Sequence, residues 1–400
     1  MTSRSRTSKR APARIANART SRPTRRRRVA VVTGTRADYG LLRGTIKALA
    51  DRPRLDVQLI VTGMHLIKSC GYTVRDIERD GWPVAARIRM QKGDDSPTDQ
   101  AEGLSRGVAG IARFLQQNQS NVVLVLGDRI EALAGALAAT TTGRCLAHVH
   151  GGDVAPGDFD DPMRDAITKL AHLHLVATRD AAERVTAMGE EPFRVHVVGA
   201  PGLDDLLHSP SATPRSGPPT TAVVIIHPRG RTAELERRTM AATLRAVRMH
   251  HLDAVVIHPN TDRGCSGVVQ AIDRAVADAN GNGRIRVVRS LHRDAFVQHL
   301  QSCDILVGNS SSGIIEAPAM GLPVVNIGPR QNGRLRAAQT VIDAAETFES
   351  IFAALSRALA RRPKKPSATP YGTGDAGLKI ARILSRVRLD ERLRHKTNSR

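Results

Sequence analysis

The sequence predicts an α/β protein made of two doubly wound, Rossmann-like halves, each a parallel sheet covered by helices. From Val29 onward, short runs rich in β-branched residues alternate with longer segments rich in Ala and Leu. That alternation is typical of parallel sheets with right-handed crossovers. Hydrophobic residues make up 41% of the chain and aromatic residues only 2%. Ala, Val, Leu and Ile must therefore build the core, which suits buried parallel strands.

The first half is predicted from six apolar runs separated by helical patterns. The predicted strands are residues 29–33, 57–61, 122–126, 145–150, 173–177 and 195–198. The predicted helices include residues 41–50, 104–117, 130–140 and 162–171. We place a first domain at residues 29–200.

The second half follows a break in this rhythm. Residues 201–221 are rich in Pro, Ser and Gly, which predicts an interdomain linker. Strands are predicted beyond it at residues 223–226, 254–258, 285–288, 305–308 and 324–327, with a helix at 233–249. We place a second domain at residues 222–365.

The positive charge of the chain lies at its ends. The formal net charge is +22, from 60 Lys and Arg residues against 38 Asp and Glu residues. Residues 1–28 hold eleven basic and no acidic residues, and residues 361–400 hold twelve basic and three acidic ones. Residues 29–360 therefore hold 37 basic and 35 acidic residues, so the body is nearly neutral. A body that binds nucleic acid would carry a basic face of its own, so specific nucleic-acid binding is not expected.

Residues 1–28 are predicted to be a disordered basic tail because they have no periodic apolar pattern. An organellar transit peptide is the alternative, which Pro12 and Pro23 disfavour by interrupting an amphipathic helix. The four cysteines are scattered without metal-ligand spacing, which fits a reducing cytoplasm rather than disulfides or a structural zinc. No apolar run reaches the roughly 18 residues of a membrane span.

Carboxylates follow several predicted strands of the first half. Ligands of doubly wound sheets bind at the carboxyl ends of strands, where this sequence has GTRADYG (34–40), GDR (127–129) and HGGD (150–153), with Asp160 and Asp161 opening a later helix. Each acidic residue could also be a helix N-cap or first-turn residue. Because acidic residues recur at the ends of successive strands and at the start of a helix in the first half, the sequence predicts that some of them form one acid–base site.

The second half has a different set of strand-end residues. These are HPR (227–229), HPNTD (258–262) and GNSSSG (308–313), with Glu316 and Arg330 beyond the last. A Ser/Gly loop that enters a helix offers N–H groups and hydroxyls to phosphate. The alternative is a serine N-cap with Glu316 in a capping box. We expect a nucleotide diphosphate here, with its substituent extending toward the carboxylates.

Longer motifs resemble one known family. They are GTRADYG (34–40), VTGMHL (61–66), GDR (127–129), HVHGGD (148–153), DDPMRDAITKLAHLH (160–174), HP (227–228), HPN (258–260), GNSSSGIIEAPAMGLPVVNIGPRQNGR (308–334) and PYGTGDAG (370–377). They resemble UDP-N-acetylglucosamine 2-epimerases over residues 29–383. The resemblance implies a GT-B fold with the active site in the cleft between two domains, and no metal or redox cofactor. It also implies that a helix within residues 366–390 returns to the body, before a basic tail at 391–400.

The resemblance also assigns site residues. Asp128, Asp153 and Asp160 match acid–base carboxylates of the family, Asp161 is their neighbour, and His65 lies in an active-site motif. Positions that hold UDP or its diphosphate are matched by Arg36, Arg129, His227, Asn260, His292, Ser310, Ser311, Glu316 and Arg330.

Two motifs distinguish the branches of this family. GTRADYG, and HxHGG followed by an acidic residue, are similar to the hydrolysing branch, which releases UDP and a free 2-epimerised sugar. Non-hydrolysing members typically show GTRPE and HxEAGLR, and this sequence shows neither. The resemblance therefore implies a cytoplasmic, homo-oligomeric, hydrolysing UDP-N-acetylglucosamine 2-epimerase that supplies sialic or nonulosonic acid synthesis.

The substrate sugar stays open. Asp153 stands where many hydrolysing members have Glu, and Gly40 stands where some have Ser, so a 2,4-diacetamido-trideoxyhexose is a possible relative of the expected sugar. The alternative activities are a non-hydrolysing epimerase and a GT-B glycosyltransferase that uses UDP-sugars.

Overall fold

Two parallel β-sheets form the framework of the protein in a computed structural model. The structure describes residues 26–92, 97–154, 160–208, 220–259, 263–278, 284–289, 291–337, 340–360 and 369–397. The predicted α/β fold with two Rossmann-like sheets is confirmed.

The first sheet has seven strands in the order β3-β2-β1-β4-β5-β6-β7. Its strands are β1 (Arg27–Thr33), β2 (Leu55–Thr62), β3 (Val84–Ile88), β4 (Val122–Leu126), β5 (Cys145–Val149), β6 (Leu173–Val176) and β7 (Val195–Val197). The helices of this half are α1 (Arg36–Ala50), α2 (Val74–Arg79), α3 (Pro97–Gln117), α4 (Ile130–Thr141), α5 (Asp160–Leu170), α6 (Arg179–Ala187) and α7 (Gly202–His208).

The second sheet has six strands in the order β10-β9-β8-β11-β12-β13. Its strands are β8 (Thr221–Ile225), β9 (Asp253–Ile257), β10 (Ile285–Val288), β11 (Ile305–Gly308), β12 (Val324–Ile327) and β13 (Val341–Ala344). The remaining helices are α8 (Ala233–Met249), α9 (Cys265–Asp278), α10 (Arg293–Ser302), α11 (Ser312–Ile315), α12 (Phe348–Leu359), α13 (Ala376–Arg386) and α14 (Glu391–Arg394).

The central strands are buried on both faces because helices cover both sides of each sheet. Val123, Leu124 and Val125 of β4 are all fully buried, as is most of β5. Full burial of one such side chain contributes about 1.5–3 kcal/mol relative to leaving it exposed. These continuous apolar runs explain why the centre of each sheet could be predicted from the sequence.

The strand order of each sheet fixes the position of the site. The order changes direction between β1 and β4 in the first sheet and between β8 and β11 in the second. A crevice opens at such a point beyond the carboxyl ends of the strands. The loops after these four strands, and after the adjacent β5 and β12, therefore border this crevice.

The two halves also share a small apolar core. Leu203 and Leu206 of α7 pack in one cluster with Val297 of α10 and with Ile314 and Ile315 of α11. Our prediction that residues 201–221 form a linker was wrong for this part, because α7 is helical and largely buried. Residues 209–219 lie outside the described residues.

The C-terminal segment packs on the first half. Ile380, Ala381 and Leu384 of α13 are buried in the core beneath the first sheet. The Asp204 carboxylate accepts hydrogen bonds from the backbone N–H groups of Ala376 (2.9 Å) and Gly377 (2.6 Å), which satisfies the start of α13. Such docking is consistent with the expected return of this segment to the body.

The predicted basic tail at residues 391–400 is wrong for residues 391–397. Arg194 is fully buried and donates to the carbonyl oxygens of Arg392 (2.8 Å), Leu393 (2.5 Å) and His395 (3.0 Å). Lys396 forms an ion pair with the buried Glu190 (2.7 Å). Three hydrogen bonds and one ion pair thus hold this segment against the first half.

The boundary of the N-terminal tail also needs correction. Strand β1 begins at Arg27, two residues inside the segment 1–28 that we predicted to be disordered. The Arg27 guanidinium donates to the carbonyl oxygens of Leu384 and Val387 at the end of α13. Residues 1–25 lie outside the described residues. Within the part of the chain that the structure describes, no helix has the length and apolar character of a membrane span.

Candidate active site

Four predicted carboxylates lie at one edge of the first sheet. Asp128 follows β4, Asp153 follows β5, and Asp160 and Asp161 begin α5. Strands β4 and β5 are adjacent, and the N–H of Gly127 donates to the carbonyl of Val149 (3.0 Å), so the two loops leave the sheet together. Parallel pairing thus brings together carboxylates that are 25 residues or more apart in the sequence.

A buried arginine joins three of these segments. Arg164 of α5 is 1% exposed, and its guanidinium forms ion pairs with Asp128 and Asp161. It also donates to the backbone carbonyl of Asp153 (2.8 Å). An arginine in such a place is tolerated only when carboxylates compensate the loss of water. The predicted site residues did not include Arg164, although its position one turn after Asp160 placed it on the correct helix face.

The pKa of Arg164 also indicates that two arginines of the second half lie near its guanidinium. Burial, and then the positive charges of Arg334 and Arg330, lower the pKa of Arg164 to about 9. The guanidinium is still protonated at neutral pH. The loop after β12 therefore lies close to the carboxylates, and Arg334 reaches across to donate to the carbonyl of Val154 (3.2 Å).

Asp153 is paired with a histidine from its own loop. Nδ1 of His150 and Oδ2 of Asp153 are 2.9 Å apart, and both side chains are buried. Burial alone would raise the pKa of Asp153, but the charges of His150, Arg334 and Arg184, with the His150 hydrogen bond, hold it below its ordinary value. Asp153 is therefore ionised at neutral pH.

His65 lies beneath the site rather than at its surface. It is fully buried, with Nε2 3.1 Å from Thr33 Oγ1 and Nδ1 2.6 Å from Thr73 Oγ1. Burial, and then the charge of Arg36, lower the pKa of His65 to about 4, so its ring is neutral. The structure does not bring it into contact with Asp128 or Asp153, and its visible role is to join two loops.

Arg36 begins α1 at the switch point of the first sheet. Its guanidinium forms an ion pair with Asp76 of α2 (2.6 Å). The preceding Thr35 is the N-cap of α1 and forms a capping box with Asp38. Burial raises the pKa of Asp38 to about 6 despite hydrogen bonds from Thr33, Gly34 and Thr35. This network fixes the loop that presents Arg36.

A buried glutamate that we did not predict supports the neighbouring Arg129. Glu131 is 1% exposed, with Oε2 3.5 Å from Arg129 Nε and Oε1 accepting from Gln91 (3.0 Å). Its side chain fills the space beside Gly34 and Gly63, where any Cβ atom would overlap with it. The sequence signal that could have indicated this buried side chain was the presence of glycines at positions 34 and 63, where a neighbouring group leaves no room for a Cβ atom.

His227 lies between cationic residues of the two halves. Burial, and then the charges of Arg330 and Arg129, lower the pKa of His227 to about 3, so the ring is neutral at physiological pH. The backbone of His227 is held by two hydrogen bonds with the side chain of Asn309 (2.7 and 2.8 Å). The loops after β4, β8 and β12 thus bring these predicted UDP-binding residues into one region.

The Ser/Gly loop follows β11 as predicted. Ser310 Oγ and Ser312 Oγ are 3.1 Å apart, and Arg330 donates to the carbonyl of Asn309 (3.3 Å). Ser311 is the N-cap of α11, but its side chain makes no capping hydrogen bond. Ser311 thus occupies the N-cap position, but the capping-box alternative is wrong, because Glu316 is the C-cap of α11 and does not lie in its first turn.

Glu316 is held by an arginine of the same half. Its side chain is buried, and Oε1 lies 2.5 Å from Arg293 Nη1 in an ion pair. Arg293 also donates to the carbonyl of Gly202 (2.6 Å). His292, the N-cap of α10, lies 3.3 Å from Asp80 of the first half and 3.4 Å from Asp294. Asn260 lies outside the described residues.

The described residues of the site are chiefly acids and arginines. Within the described ranges, no cluster of three or more His, Cys, Asp and Glu residues has the arrangement to hold a metal ion. The carboxylates near Arg164 can exchange protons with a substrate, and the arginines can bind an anion.

Comparison with known proteins supports one family. A sequence model described as UDP-N-acetylglucosamine 2-epimerase matches residues 47–385. The chain is 33% identical over 381 residues to a UDP-N,N'-diacetylbacillosamine 2-epimerase (hydrolyzing) of Legionella pneumophila, covering 93% of this chain and 99% of that relative. It is 31% identical over 339 residues to a UDP-N-acetylglucosamine 2-epimerase of Neisseria meningitidis, covering 83% of this chain and 87% of that relative.

Solved structures give the same fold. The UDP co-structure of MnaA from S. aureus superposes with a TM-score of 0.75 at 18% identity and covers 90% of this chain and 96% of that chain. The UDP-GlcNAc 2-epimerase of Neisseria meningitidis bound to UDP-GlcNAc superposes with a TM-score of 0.74 at 17% identity, covering 89% and 99%.

Proposed function

The chain belongs to the UDP-N-acetylglucosamine 2-epimerase family, and on that premise we propose that it is a hydrolysing 2-epimerase of UDP-2-acetamido sugars. The proposed reaction converts UDP-N-acetylglucosamine (UDP-GlcNAc) and water to UDP and free N-acetylmannosamine. The observation that carries the proposal is the ion-paired set of Asp128, Arg164 and Asp161 at a switch point that faces Arg330.

The first step is an elimination. A carboxylate removes the proton from C2, the C1–O bond to UDP breaks, and a glycal with a C1–C2 double bond remains. Asp128 is our candidate base because its pairing with Arg164 favours the ionised form, and an ionised carboxylate accepts a proton. The departing diphosphate gains negative charge, which Arg36, Arg129 and Arg330 are placed to balance.

The second step is hydration of the glycal. Water adds its oxygen to C1, and a proton enters C2 from the face opposite to the first removal. The products are the free 2-epimer and UDP, which balances the substrate plus one water. This step requires a second proton-exchanging group, and Asp153 and Asp160 are the other family-matched carboxylates, with Asp161 as their neighbour.

We propose that the second half, residues 222–365, binds UDP. The hydroxyls of Ser310 and Ser311 would bind phosphate, since α11 has only four residues and contributes little as a dipole. Glu316 would accept hydrogen bonds from the ribose. His227 and Asn260 stay in the predicted set. His292 has the least support because Asp80 and Asp294 already engage its ring.

A diacetamido sugar is the second candidate substrate. The relatives from Legionella pneumophila and Campylobacter jejuni both carry the name UDP-N,N'-diacetylbacillosamine 2-epimerase (hydrolyzing), the second with GDP as well as UDP. The first of them is covered over 99% of its length. The chemistry at C1 and C2 is the same for both sugars, so the proposal concerns the same residues.

The test is an NMR assay of purified protein in deuterated water with UDP-GlcNAc and UDP-N,N'-diacetylbacillosamine in parallel. We expect UDP, a free 2-epimer and one deuterium at C2 from at least one substrate. UDP release without deuterium at C2 would contradict the proposal and point to a transferase or simple hydrolase. Accumulation of the UDP-linked epimer without UDP would identify a non-hydrolysing epimerase.

We further propose a cytoplasmic homo-oligomer. The proposal of a homo-oligomer rests on the family resemblance, and light scattering coupled to size exclusion would measure the mass of the particle. The proposal of a cytoplasmic location rests on the scattered spacing of the four cysteines, which fits a reducing compartment.

A further inference from the structure

We propose that His150 is a catalytic residue whose Nε2 delivers the proton to C2 during hydration of the glycal, while Asp153 acts through His150 as a positioning residue. This inference rests on the proposed function and deepens it. His150 belongs to none of the roles that the family resemblance assigned. Its place in the fold, rather than its sequence motif, singles it out.

The backbone of His150 has an unusual conformation for a residue with a side chain. Its φ angle is 65°, in the left-handed region that residues other than Gly adopt uncommonly and that Asn, Asp and His adopt most often among them. The N–H of His150 donates to the carbonyl of Leu175 on β6 (3.3 Å), so the sheet holds this residue in place. Such strain costs of order 1–3 kcal/mol and persists where the surroundings enforce it, often at active sites.

The following glycines keep the loop close to the sheet. Gly151 packs against His148 Nδ1 and Thr168 Oγ1, where an added Cβ would come within 3.0 Å of both atoms. Gly152 has a φ of 73°, and an added Cβ there would overlap with the backbone of Ala181. The loop therefore has one path, and it returns the Asp153 carboxylate to the His150 ring.

The pairing leaves one ring nitrogen for the substrate. Nδ1 of His150 donates to Asp153 Oδ2 at 2.9 Å, and no other described residue is hydrogen-bonded to the ring. The imidazole is 10% exposed and the carboxylate 5% exposed, so the ring is the more accessible member of the pair. A carboxylate that accepts from Nδ1–H orients the ring and stabilises the imidazolium, which is the arrangement of catalytic triads.

The neighbouring charges favour a division of roles. Asp128, one strand away, is ion-paired with Arg164, and that pairing favours a carboxylate that accepts protons over one that donates them. The ionised Asp153 orients the His150 ring through Nδ1, so that Nε2 is the nitrogen available for proton transfer. The charged or titratable groups around the pair include Arg164, Arg184, Arg334, His148 and Tyr371. The positive charges of Arg334, from the second half, and Arg184, from the first half, stabilise the ionised carboxylate of Asp153.

The proposed step balances as follows. The proton on Nε2 of His150 forms the new C–H bond at C2, and the C1–C2 π electrons move to that bond. Water oxygen bonds to C1 and loses one proton, which restores the imidazolium. Elimination of UDP does not require this proton, so it can proceed without His150.

The experiment compares His150→Asn with wild-type protein, because Asn tolerates the left-handed conformation but cannot donate a proton as imidazolium does. His251→Asn is the matched control, since His251 also has a positive φ of 56° but is exposed in the second half. The assay follows UDP, glycal and free 2-epimer by NMR, and UDP binding by calorimetry reports on folding.

We expect His150→Asn to release UDP and accumulate glycal, with formation of the free 2-epimer reduced about 10²-fold or more. UDP affinity and the control variant should match wild type. Asp128→Asn should instead lose both glycal and UDP. If His150→Asn forms the free 2-epimer at a rate within about threefold of wild type, the proposal is overturned. It is also overturned if this variant loses glycal and free 2-epimer equally while it still binds UDP. Failure of the proposed function is distinguishable, because wild-type protein would then incorporate no deuterium at C2.

Discussion

Arg164 of α5 donates to the carboxylate of Asp128 at the end of β4, and this ion pair connects a helix to the strand edge where the substrate is expected. Because the same guanidinium also holds Asp161 and the backbone of Asp153, one side chain joins the loops after β4 and β5 to the first turn of α5. The geometry of the acid–base residues therefore depends on a residue that belongs to none of the predicted roles.

Arg164→Lys should impair both turnover and stability. A lysine ammonium cannot bond two carboxylates and a carbonyl with the planar geometry of a guanidinium. We expect kcat to fall about 10²-fold, UDP affinity to stay within about threefold, and the free energy of unfolding to fall by about 3 kcal/mol. Steady-state kinetics, calorimetry with UDP and urea denaturation measure these three quantities.

Arg106→Lys is the matched control for this variant. Arg106 of α3 also bridges two carboxylates, Asp99 (3.2 Å) and Glu102 (2.9 Å), but its side chain is 36% exposed. We expect its loss to change the free energy of unfolding by under about 1 kcal/mol and to leave kcat unchanged. A wild-type kcat in Arg164→Lys would contradict a positioning role for Arg164.

Gly34 and Glu131 should be coupled through space. An alanine Cβ at position 34 would overlap with the Glu131 side chain, so Gly34→Ala should lower the free energy of unfolding by about 2 kcal/mol. In a Glu131→Ala background the same substitution should cost close to nothing. Urea denaturation of the four proteins measures the coupling.

The variant Glu131→Gln separates the effect of the size of the Glu131 side chain from the effect of its charge in this double-mutant cycle. Glutamine fills the same space, so Gly34→Ala should remain as costly in that background as in wild type. A small cost there would mean that charge, rather than steric overlap, explains the coupling. We also expect Gly34→Ala to raise KM, because a displaced Glu131 no longer supports Arg129.

Some parts of this structure could be predicted from the sequence, and the reasons differ from element to element. The central strands, such as β4, were predicted because they are continuous apolar runs. Strands β3 and β13 were not predicted: β3 alternates between partly buried and exposed residues, and Asp343 interrupts the short apolar run of β13. The clustering of Asp128 with Asp161 followed from parallel topology alone.

The long-range contacts of buried arginines could not be predicted from the sequence. Arg194 bonds to carbonyls 198 to 201 residues later in the chain, and no local pattern indicates such partners. The roles of Arg164 and Glu131 likewise depend on side-chain direction, which spacing does not determine. The HGG motif at 150–152 was recognised, but the left-handed φ of His150 emerged only in the structure. The assigned roles of the predicted site residues stay predictions.

Protonation of buried histidines should make the protein less stable in mild acid. Burial lowers the pKa of His148 to about 3, while an unfolded histidine titrates near 6.5. Between pH 6.5 and 5 the unfolded state therefore binds a proton that the folded state does not. The free energy of unfolding should fall by about 2 kcal/mol per such histidine over this range.

The variant His148→Asn isolates one such histidine. Urea denaturation at pH 7.5 and 5.0 should show a loss of stability that is smaller by about 2 kcal/mol in the variant than in wild type. Burial raises the pKa of Asp38 and of Asp204 to about 6, an effect of opposite sign that is common to both proteins and cancels in the difference. His251→Asn, at an exposed position, should leave the pH dependence unchanged. Equal losses in wild type and His148→Asn would contradict the assignment.

Arg293 should govern recognition of the ribose through Glu316. Because Arg293 Nη1 holds Glu316 Oε1 at 2.5 Å, it orients the carboxylate that we expect to accept the ribose hydroxyls. Wild-type protein should therefore bind UDP more tightly than 2',3'-dideoxy-UDP. Arg293→Met should weaken UDP binding about tenfold, which corresponds to about 1.4 kcal/mol, and leave dideoxy-UDP binding unchanged. Calorimetry with both ligands measures the difference.

A control for this prediction is Arg245→Met, since Arg245 lies over the Phe348 ring on α12 and away from Glu316. That variant should keep the wild-type preference for UDP. If Arg293→Met weakens both ligands equally, Arg293 acts on the fold of the second half rather than on ribose recognition. The comparison between the two ligands therefore distinguishes a positioning residue from a structural one. If Arg293 positions Glu316 for the ribose, its loss weakens binding only of UDP, which has the 2' and 3' hydroxyls, and not of dideoxy-UDP, which lacks them.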